Sequence, residues 1–389
     1  MKKLLAIILS ISIITSFTAC NGTKRNENDN KTNSIINADS PSSKQEIEHT
    51  GKKISGQITA ASTFSEGLAF VCLDGDKEKT YCINKDGYIV FELDINISGL
   101  GKIEDKFVNG LAVLKSQQNT GRVLCDTKGN ITTPEDLGVT NFCGLALEGK
   151  YIIVEKITAS YDSSKKEIGV INTDFEWVVE LSESIYDQLG DVMLQPSNTT
   201  SFYYNDFCYF ENNKKYLNLK TGEVTDTVDF ILPSNKWKCY TDNTYRDYNE
   251  NILLDLSDVP NALAYTYGIG FVNGKTPIRF HNKETGTYFF NIIDEKGEFL
   301  FDPIELSKIE AFYFDGDYLL VIDNYMGSQK NIKCYDTKGN LLGELDTYSI
   351  EKNRSYNCEI SDGIITIYSS YSYSNYKCYY YNTDFTELF

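Results

Sequence analysis

Asn84-Lys85-Asp86-Gly87 lies between two apolar runs, Tyr81-Cys82-Ile83 and Tyr88-Ile89-Val90-Phe91. The same phrase returns at Asp126-Thr127-Lys128-Gly129, Asp294-Glu295-Lys296-Gly297 and Asp336-Thr337-Lys338-Gly339. An acid or amide opens it, two polar residues follow, and glycine closes it. Asp or Asn in first place can hydrogen-bond the backbone ahead of it. Glycine in fourth place takes the left-handed conformation that closes a tight hairpin. The phrase therefore reads as strand, type I turn with a glycine bulge, strand.

Used as a template, the phrase exposes weaker copies. Ile171-Asn172-Thr173-Asp174-Phe175 carries phenylalanine in the glycine slot, and Tyr381-Asn382-Thr383-Asp384-Phe385 is its near twin. The stretch from Tyr216 to Val224 keeps Gly222, with Leu219 where the acid should stand. The faintest copy, Leu253 to Asp258, is anchored on Asp255. The anchors fall at 84, 126, 172, 219, 255, 294, 336 and 382. An earlier strand often opens on glycine, as in Glu66-Gly67-Leu68, Asn109-Gly110-Leu111, Glu148-Gly149-Lys150, Asp315-Gly316-Asp317 and Asp362-Gly363-Ile364.

A repeat of this length means stacked or radially arranged units. Apolar residues alternate or cluster in short runs, and sustained i, i+3, i+4 spacing is missing, which is an all-β pattern. Three or four short strands per unit fit the blades of a β-propeller, each a four-stranded sheet of roughly 40–50 residues. The expectation is an all-β, repeat-built, propeller-like domain over residues 54–389. It has eight blades of about 40–46 residues, or seven if the unit at 255 is an insertion. Closing a ring removes exposed sheet edges, and the last blade is expected to be completed by an early strand, 54–59. An open β-solenoid or a pair of β-sandwiches is the alternative.

The units also resemble the WG-repeat (KWG-like) family of bacterial proteins. Glu66-Gly67-Leu68-Ala69 and Asn109-Gly110-Leu111-Ala112 carry the first half of that pattern, and Gly169-Val170-Ile171-Asn172 and Ile292-Ile293-Asp294-Glu295-Lys296-Gly297 the second. The Trp-Gly pair that names the family is missing, since neither Trp177 nor Trp237 precedes glycine. The resemblance implies a propeller-like scaffold, often envelope-associated, with no catalytic residue to carry over.

The first residues address location. Lys2 and Lys3 precede an apolar run from Leu4 to Phe17. That run is too short for a bilayer core of about 30 Å, which needs roughly 20 apolar residues, so it reads as a signal peptide over 1–19. Phe17-Thr18-Ala19-Cys20 resembles the bacterial lipobox. That resemblance implies cleavage after Ala19, a diacylglycerol on Cys20 and palmitate in the mature lipoprotein. An ordinary secretory signal is the alternative. Residues 20–53, rich in Asn, Ser, Lys and Glu and free of aromatics, read as a lipid-anchored, disordered tether. The expected place is the extracytoplasmic face of the cell membrane.

Composition narrows the function. The net charge of −18 argues against nucleic acid as a partner. Of ten cysteines, nine remain beside Cys20. With no C-x-x-C they read as buried small apolar residues, and Cys72 with Cys82 is the best disulfide pair on spacing. Only His49 and His281 exist, which argues against nucleophile–histidine catalysis, and no phosphate-binding or dinucleotide fingerprint occurs. No catalytic residue, metal site or cofactor is expected. Asp74-Gly75-Asp76 and Asp315-Gly316-Asp317 read as turn acids rather than calcium ligands.

Two aromatic clusters remain, Phe202 to Phe210 and Tyr368 to Tyr381. Tyr368, Tyr371, Tyr373 and Tyr376 are the candidate ligand surface, by stacking on sugar rings or a peptide, against ordinary cross-strand pairing. The leading expectation is a non-enzymatic binding or scaffold protein of the bacterial envelope with a protein or glycan partner. The alternatives are a glycan hydrolase with paired carboxylates and a glycan-binding module using the tyrosines.

Overall fold

The computed structural model describes residues 47–389 apart from 96, 98–100, 116–121, 147–148, 160–163, 192–200, 211–212, 229–236, 240–242, 247–250, 257–261, 264–269, 283–284, 307–308, 310, 327–328, 351–353 and 373–374. Among the described residues, eight antiparallel sheets follow one another along the chain. They span 58–93, 111–132, 141–182, 201–225, 238–255, 262–306, 311–346 and 355–381 and are called sheets 1 to 8 below. Within each, strands lie side by side in sequence order, so every sheet is a meander built from tight hairpins.

Side-chain alternation makes the sheets stack. In the strand Leu68–Leu73, Phe70 and Cys72 face the core shared with sheet 2, while Ala69 and Val71 face the core shared with sheet 8. Leu320 and Ile322 of sheet 7 face sheet 8, and Leu319 and Val321 face sheet 6. Both faces of a strand are thus buried, which explains the unbroken apolar runs. Apolar cores join sheets 1 and 2, 2 and 3, 3 and 4, 5 and 6, 6 and 7, and 7 and 8. Another joins sheet 8 to sheet 1, where Phe64 and Ile83 meet Tyr380 and Cys378. The fold is a β-propeller, and the number of sheets fits the eight-unit reading of the repeat.

The turn anchors sit where the spacing places them. Asn84, Asp126, Asn172, Asp255, Asp294 and Asp336 end strands and pair with the residue that opens the preceding strand or lies next to it, as in Leu68↔Asn84 and Tyr318↔Asp336. Asp336 Oδ1 accepts from the N–H groups of Lys338 (2.9 Å) and Asn340 (2.8 Å). Gly339 lies at φ +82°. Asn84, Asp126, Asn172 and Asp294 repeat the arrangement. Phe175 and Phe385, in the glycine slot, keep φ at +64° and +62°. In sheet 4 the anchor is Asn218, not Leu219. The loop is one residue longer, with Gly222 N–H donating to Asn218 O (2.8 Å) and Leu219 buried in the core.

One expectation needs correction, and two further details follow. Residues 54–59 do not complete the last sheet. Ile58–Ala61 is the first strand of sheet 1 and meets sheet 8 face to face, with Tyr380 Oη donating to Ser62 O (2.7 Å). Sheet 8 is instead extended by residues just after its last turn, through the bridge Tyr381↔Glu387 and Leu388 N–H to Tyr380 O. The compact unit begins at Ile47, because residues 50–54 pair along the outer strand of sheet 1. Finally, Cys72 and Cys82 are free thiols. Cys82 lies opposite Phe70, two positions along the strand from Cys72, and such a diagonal neighbour is beyond disulfide reach. Cys125, Cys143, Cys208, Cys334, Cys358 and Cys378 are also buried and free.

One helix went unread in the sequence. Glu183–Leu189 is capped by Ser182, whose hydroxyl accepts from Ile185 N–H, and it buries Ile185 and Leu189. The signal was present as a Ser cap with apolar residues four apart, but seven residues are too few for periodicity to show.

Candidate binding site on the turn face

Two kinds of turn meet on one face. The first is the phrase described above. The second sets two left-handed residues immediately before a strand, as at Glu66-Gly67 (φ +56°, +78°), Asn109-Gly110 (+52°, +79°), Asn273-Gly274 (+51°, +71°) and Asp362-Gly363 (+55°, +71°). Two successive positive φ angles define the hairpin turn that matches strand twist, and they favour Asn, Asp and Gly.

The side chains of these turns reach the next sheet. The Asp315 Oδ2 of sheet 7 accepts from Gly363 N–H of sheet 8 (3.1 Å), and Asp362 Oδ2 of sheet 8 accepts from Gly67 N–H of sheet 1 (2.9 Å). Glu66 of sheet 1 accepts from the N–H groups of Asn109 and Gly110 of sheet 2. Each carboxylate satisfies backbone donors that the neighbouring turn leaves open.

Where sheets 6, 7, 8 and 1 meet, these turns enclose a cleft of about 610 Å³. Asp315, with both oxygens engaged, and Asp362, through its Oδ2, stand in its wall. Asp315 Oδ1 also holds the N–H groups of Asp317 (3.1 Å) and Tyr318 (2.9 Å). Lys85 Nζ donates to Asp362 O (2.6 Å) and lies 3.8 Å from its carboxylate. Asp317, Asn382 and Thr383 also line the cleft, and their side chains have no hydrogen-bond partner among the described residues. One carboxylate, one amide and one hydroxyl therefore face the space, with Asn273 at its rim. Such a lining suits a ligand rich in hydroxyl, amide or ammonium donors. Among the described residues, no three His, Cys, Asp or Glu side chains are grouped to hold a metal ion.

The tyrosines do not form one surface. Tyr368 is buried between sheets 8 and 1, and burial pushes its hydroxyl well above the usual phenol range. The Tyr376 ring covers Gly101. Tyr371 is exposed at the strand end, and Tyr373 lies outside the described residues. In the other cluster Tyr209 and Phe210 are core residues. The face chosen by each tyrosine depends on register and on the neighbouring sheet, so aromatic density alone did not reveal it. Cys20 lies outside the described residues. His281 stacks on Tyr288 at 4.5 Å. Sequence reasoning missed the cleft because its residues sit in turns whose acids already had a structural explanation.

No family model matches the chain, and no curated protein matches it. Solved structures do. The chain is similar to a eukaryotic initiation factor at 11% identity, covering 87% of this chain and 88% of that one with a TM-score of 0.36. It is similar to the β-propeller domain of the Trilobed protease from Pyrococcus furiosus at 12% identity, covering 85% and 84% with a TM-score of 0.30. It is also similar to apo AztD from Citrobacter koseri at 12% identity, covering 85% and 84% with a TM-score of 0.30. At these identities no activity carries over.

Proposed function

We propose that this chain is a lipid-anchored binding or scaffold protein on the extracytoplasmic face of a bacterial membrane, built from degenerate WG-type repeats. Its turn-face cleft holds a donor-rich ligand from an envelope protein or glycan. The observation that carries the binding role is that the Asp317, Asn382 and Thr383 side chains in the cleft have no hydrogen-bond partner among the described residues, beside acids already tied to backbone N–H groups. Signal, lipobox and tether support the location, with Cys20 carrying the diacylglycerol. Among the described residues no helix is long and apolar enough to cross a membrane.

Binding to purified peptidoglycan, wall polymer and envelope protein extract tests the site. The double variant Asp317→Ala, Asn382→Ala should lose at least tenfold in affinity for the component that binds. Unchanged affinity would remove the cleft from the reading. For the anchor, Cys20→Ala should abolish labelling by a palmitate analogue and release the protein from membranes. Unchanged membrane partitioning would refute it.

Hydrolysis of a glycan by paired carboxylates is the second reading, favoured only by the convergence of Asp315, Asp317 and Asp362 on the cleft. Asp315 and Asp362 are spent on turn donors, which leaves one uncommitted carboxylate where the chemistry needs two. Release of soluble sugars from wall polymer, lost in Asp317→Asn, would establish it.

A further inference from the structure

The outer strand of sheet 1, Ile89–Leu93, is paired at its turn end. Residues 50–54 run antiparallel along it, with Thr50 N–H donating to Ile89 O, Ile89 N–H to Lys52 O and Ile54 N–H to Gly87 O, each at 2.8 Å. His49 stacks on Tyr88 at 4.3 Å, and Lys53 Nζ stands 4.9 Å over the same ring. Ile89, two residues after the turn glycine, is only 7% exposed and lies in the core against which Ile54, Leu388 and Phe389 pack.

The same position is bare elsewhere. Ile131 is 38% exposed, Trp177 37%, Phe299 46% and Leu341 51%. Trp177 and Leu341 each open a six-residue outer strand, Trp177–Ser182 of sheet 3 and Leu341–Asp346 of sheet 7. Each strand is last in its sheet, so among the described residues one row of its backbone groups has no partner strand. Their exposed side chains are otherwise acidic: Glu180 on the first, Glu344 and Asp346 on the second. Two such edges from two copies would set like charges opposite each other, which disfavours self-pairing. The segment seated on sheet 1 is basic, Thr50-Gly51-Lys52-Lys53-Ile54, in a chain of net charge −18.

We propose that the outer edges Trp177–Ser182 and Leu341–Asp346 accept an extended, lysine-bearing segment of a partner protein as an added strand, as residues 50–54 add to sheet 1. Main-chain hydrogen bonds hold such a strand, alternate side chains select it, and Trp177 or Leu341 is its apolar anchor. This surface is separate from the turn-face cleft and stands without it.

The probe is a fluorescent peptide of residues 48–56, added to the full chain at low salt. Saturable binding is expected, with backbone hydrogen exchange slowed over 177–182 or 341–346. Two further peptides carry N-methyl groups on alternate amides, one set on each edge of the strand. Strand addition predicts that one methylated peptide loses at least tenfold in affinity while the other binds as before. The double variant Trp177→Lys, Leu341→Lys, altered only at exposed positions, should bind the parent peptide at least tenfold more weakly with its unfolding temperature kept. Equal affinity of the two methylated peptides would reduce the effect to charge and overturn the proposal. Protection confined to 87–93, where the peptide would have replaced the chain's own segment, or no binding at all, would overturn it equally.

Discussion

The Phe389 ring lies flat against Gly87, so close that a methyl group on that glycine would stand 2.7 Å from Phe389 Cδ1. Phe91 covers Gly129 in the same way (2.7 Å), and Phe301 covers Gly339 (2.8 Å). Each ring comes from the residue four places after a turn's glycine slot and fills the turn glycine of the next sheet. Phe389 does for sheets 8 and 1 what Phe91 does for sheets 1 and 2, so the junction between the last and first sheets uses the same contact as those between sheets 1 and 2 and sheets 6 and 7.

Gly87 therefore has two reasons to be glycine, and they can be separated. Gly110, at φ +79°, has no atom near its missing side chain, so Gly110→Ala measures left-handed strain alone, about 1–2 kcal/mol. Gly87→Ala carries the same strain plus the clash with Phe389 and should unfold at lower denaturant than Gly110→Ala. Phe389→Ala should cost about 1–3 kcal/mol for a half-buried ring. In the double variant Gly87→Ala, Phe389→Ala the losses should fall short of additive. Strict additivity would deny the contact.

Sheets 7 and 8 exchange the two partners. The residue four after Gly339 is Gly343, and the glycine slot of the facing turn holds Phe385. A methyl on Gly343 would stand 2.7 Å from the Asp384 backbone, and Phe385 packs into the core between these sheets. Gly343→Phe alone should be severely destabilised. Adding Phe385→Gly should recover part of the loss, because ring and glycine then stand as they do at Phe301 and Gly339. Urea unfolding of the single and double variants checks this, and no recovery would refute the exchange.

Asp105 predicts a pH effect. Burial pushes its carboxyl up to about 6, while the Lys115 N–H (3.2 Å) and the Arg122 charge oppose the rise and the Glu104 charge adds to it. A raised folded-state value means that the folded protein holds the proton more tightly than the unfolded chain. Its contribution is full below about pH 4 and is lost as pH rises through about 6. Asp105→Asn should match the parent near pH 3.5 and exceed it at pH 7 by about 1–3 kcal/mol. Thermal unfolding of both proteins across pH 3.5–8 reads this, and an unchanged difference would sink it.

The thiols should be silent. Burial pushes Cys125 and Cys334 up to about 12, with neighbouring Asp charges adding to the rise. Together with Cys72, Cys82, Cys143, Cys208, Cys358 and Cys378 they should resist a thiol reagent at pH 8 until the protein is unfolded. Mass mapping of labelled peptides, native against denatured, checks this. Rapid native labelling of any of these eight would contradict their burial.

The turn phrase was legible because its physics is local. Asp336 holds the N–H groups of Lys338 and Asn340 within five residues, so a short window of sequence contains every atom the turn needs. The same locality made Asn218 hard to place, because a loop one residue longer moves the anchor without changing the apolar pattern. The aromatic four places after the glycine was also present in the sequence, at Phe91, Phe301 and Phe389. It means nothing until the facing glycine is known.

The sequence by itself determined the all-β class and most of the hairpins, since alternation and turn chemistry act over a few residues. Only the tertiary structure decided that Tyr368 is core, that Ile89 is covered while Leu341 is bare, and that Asp317, Asn382 and Thr383 share one cleft. Those outcomes depend on partners such as Asp362 and Gly67, 295 residues apart. Which face of a strand meets which sheet is set by the packing of the whole ring, and a repeated local pattern carries no record of it.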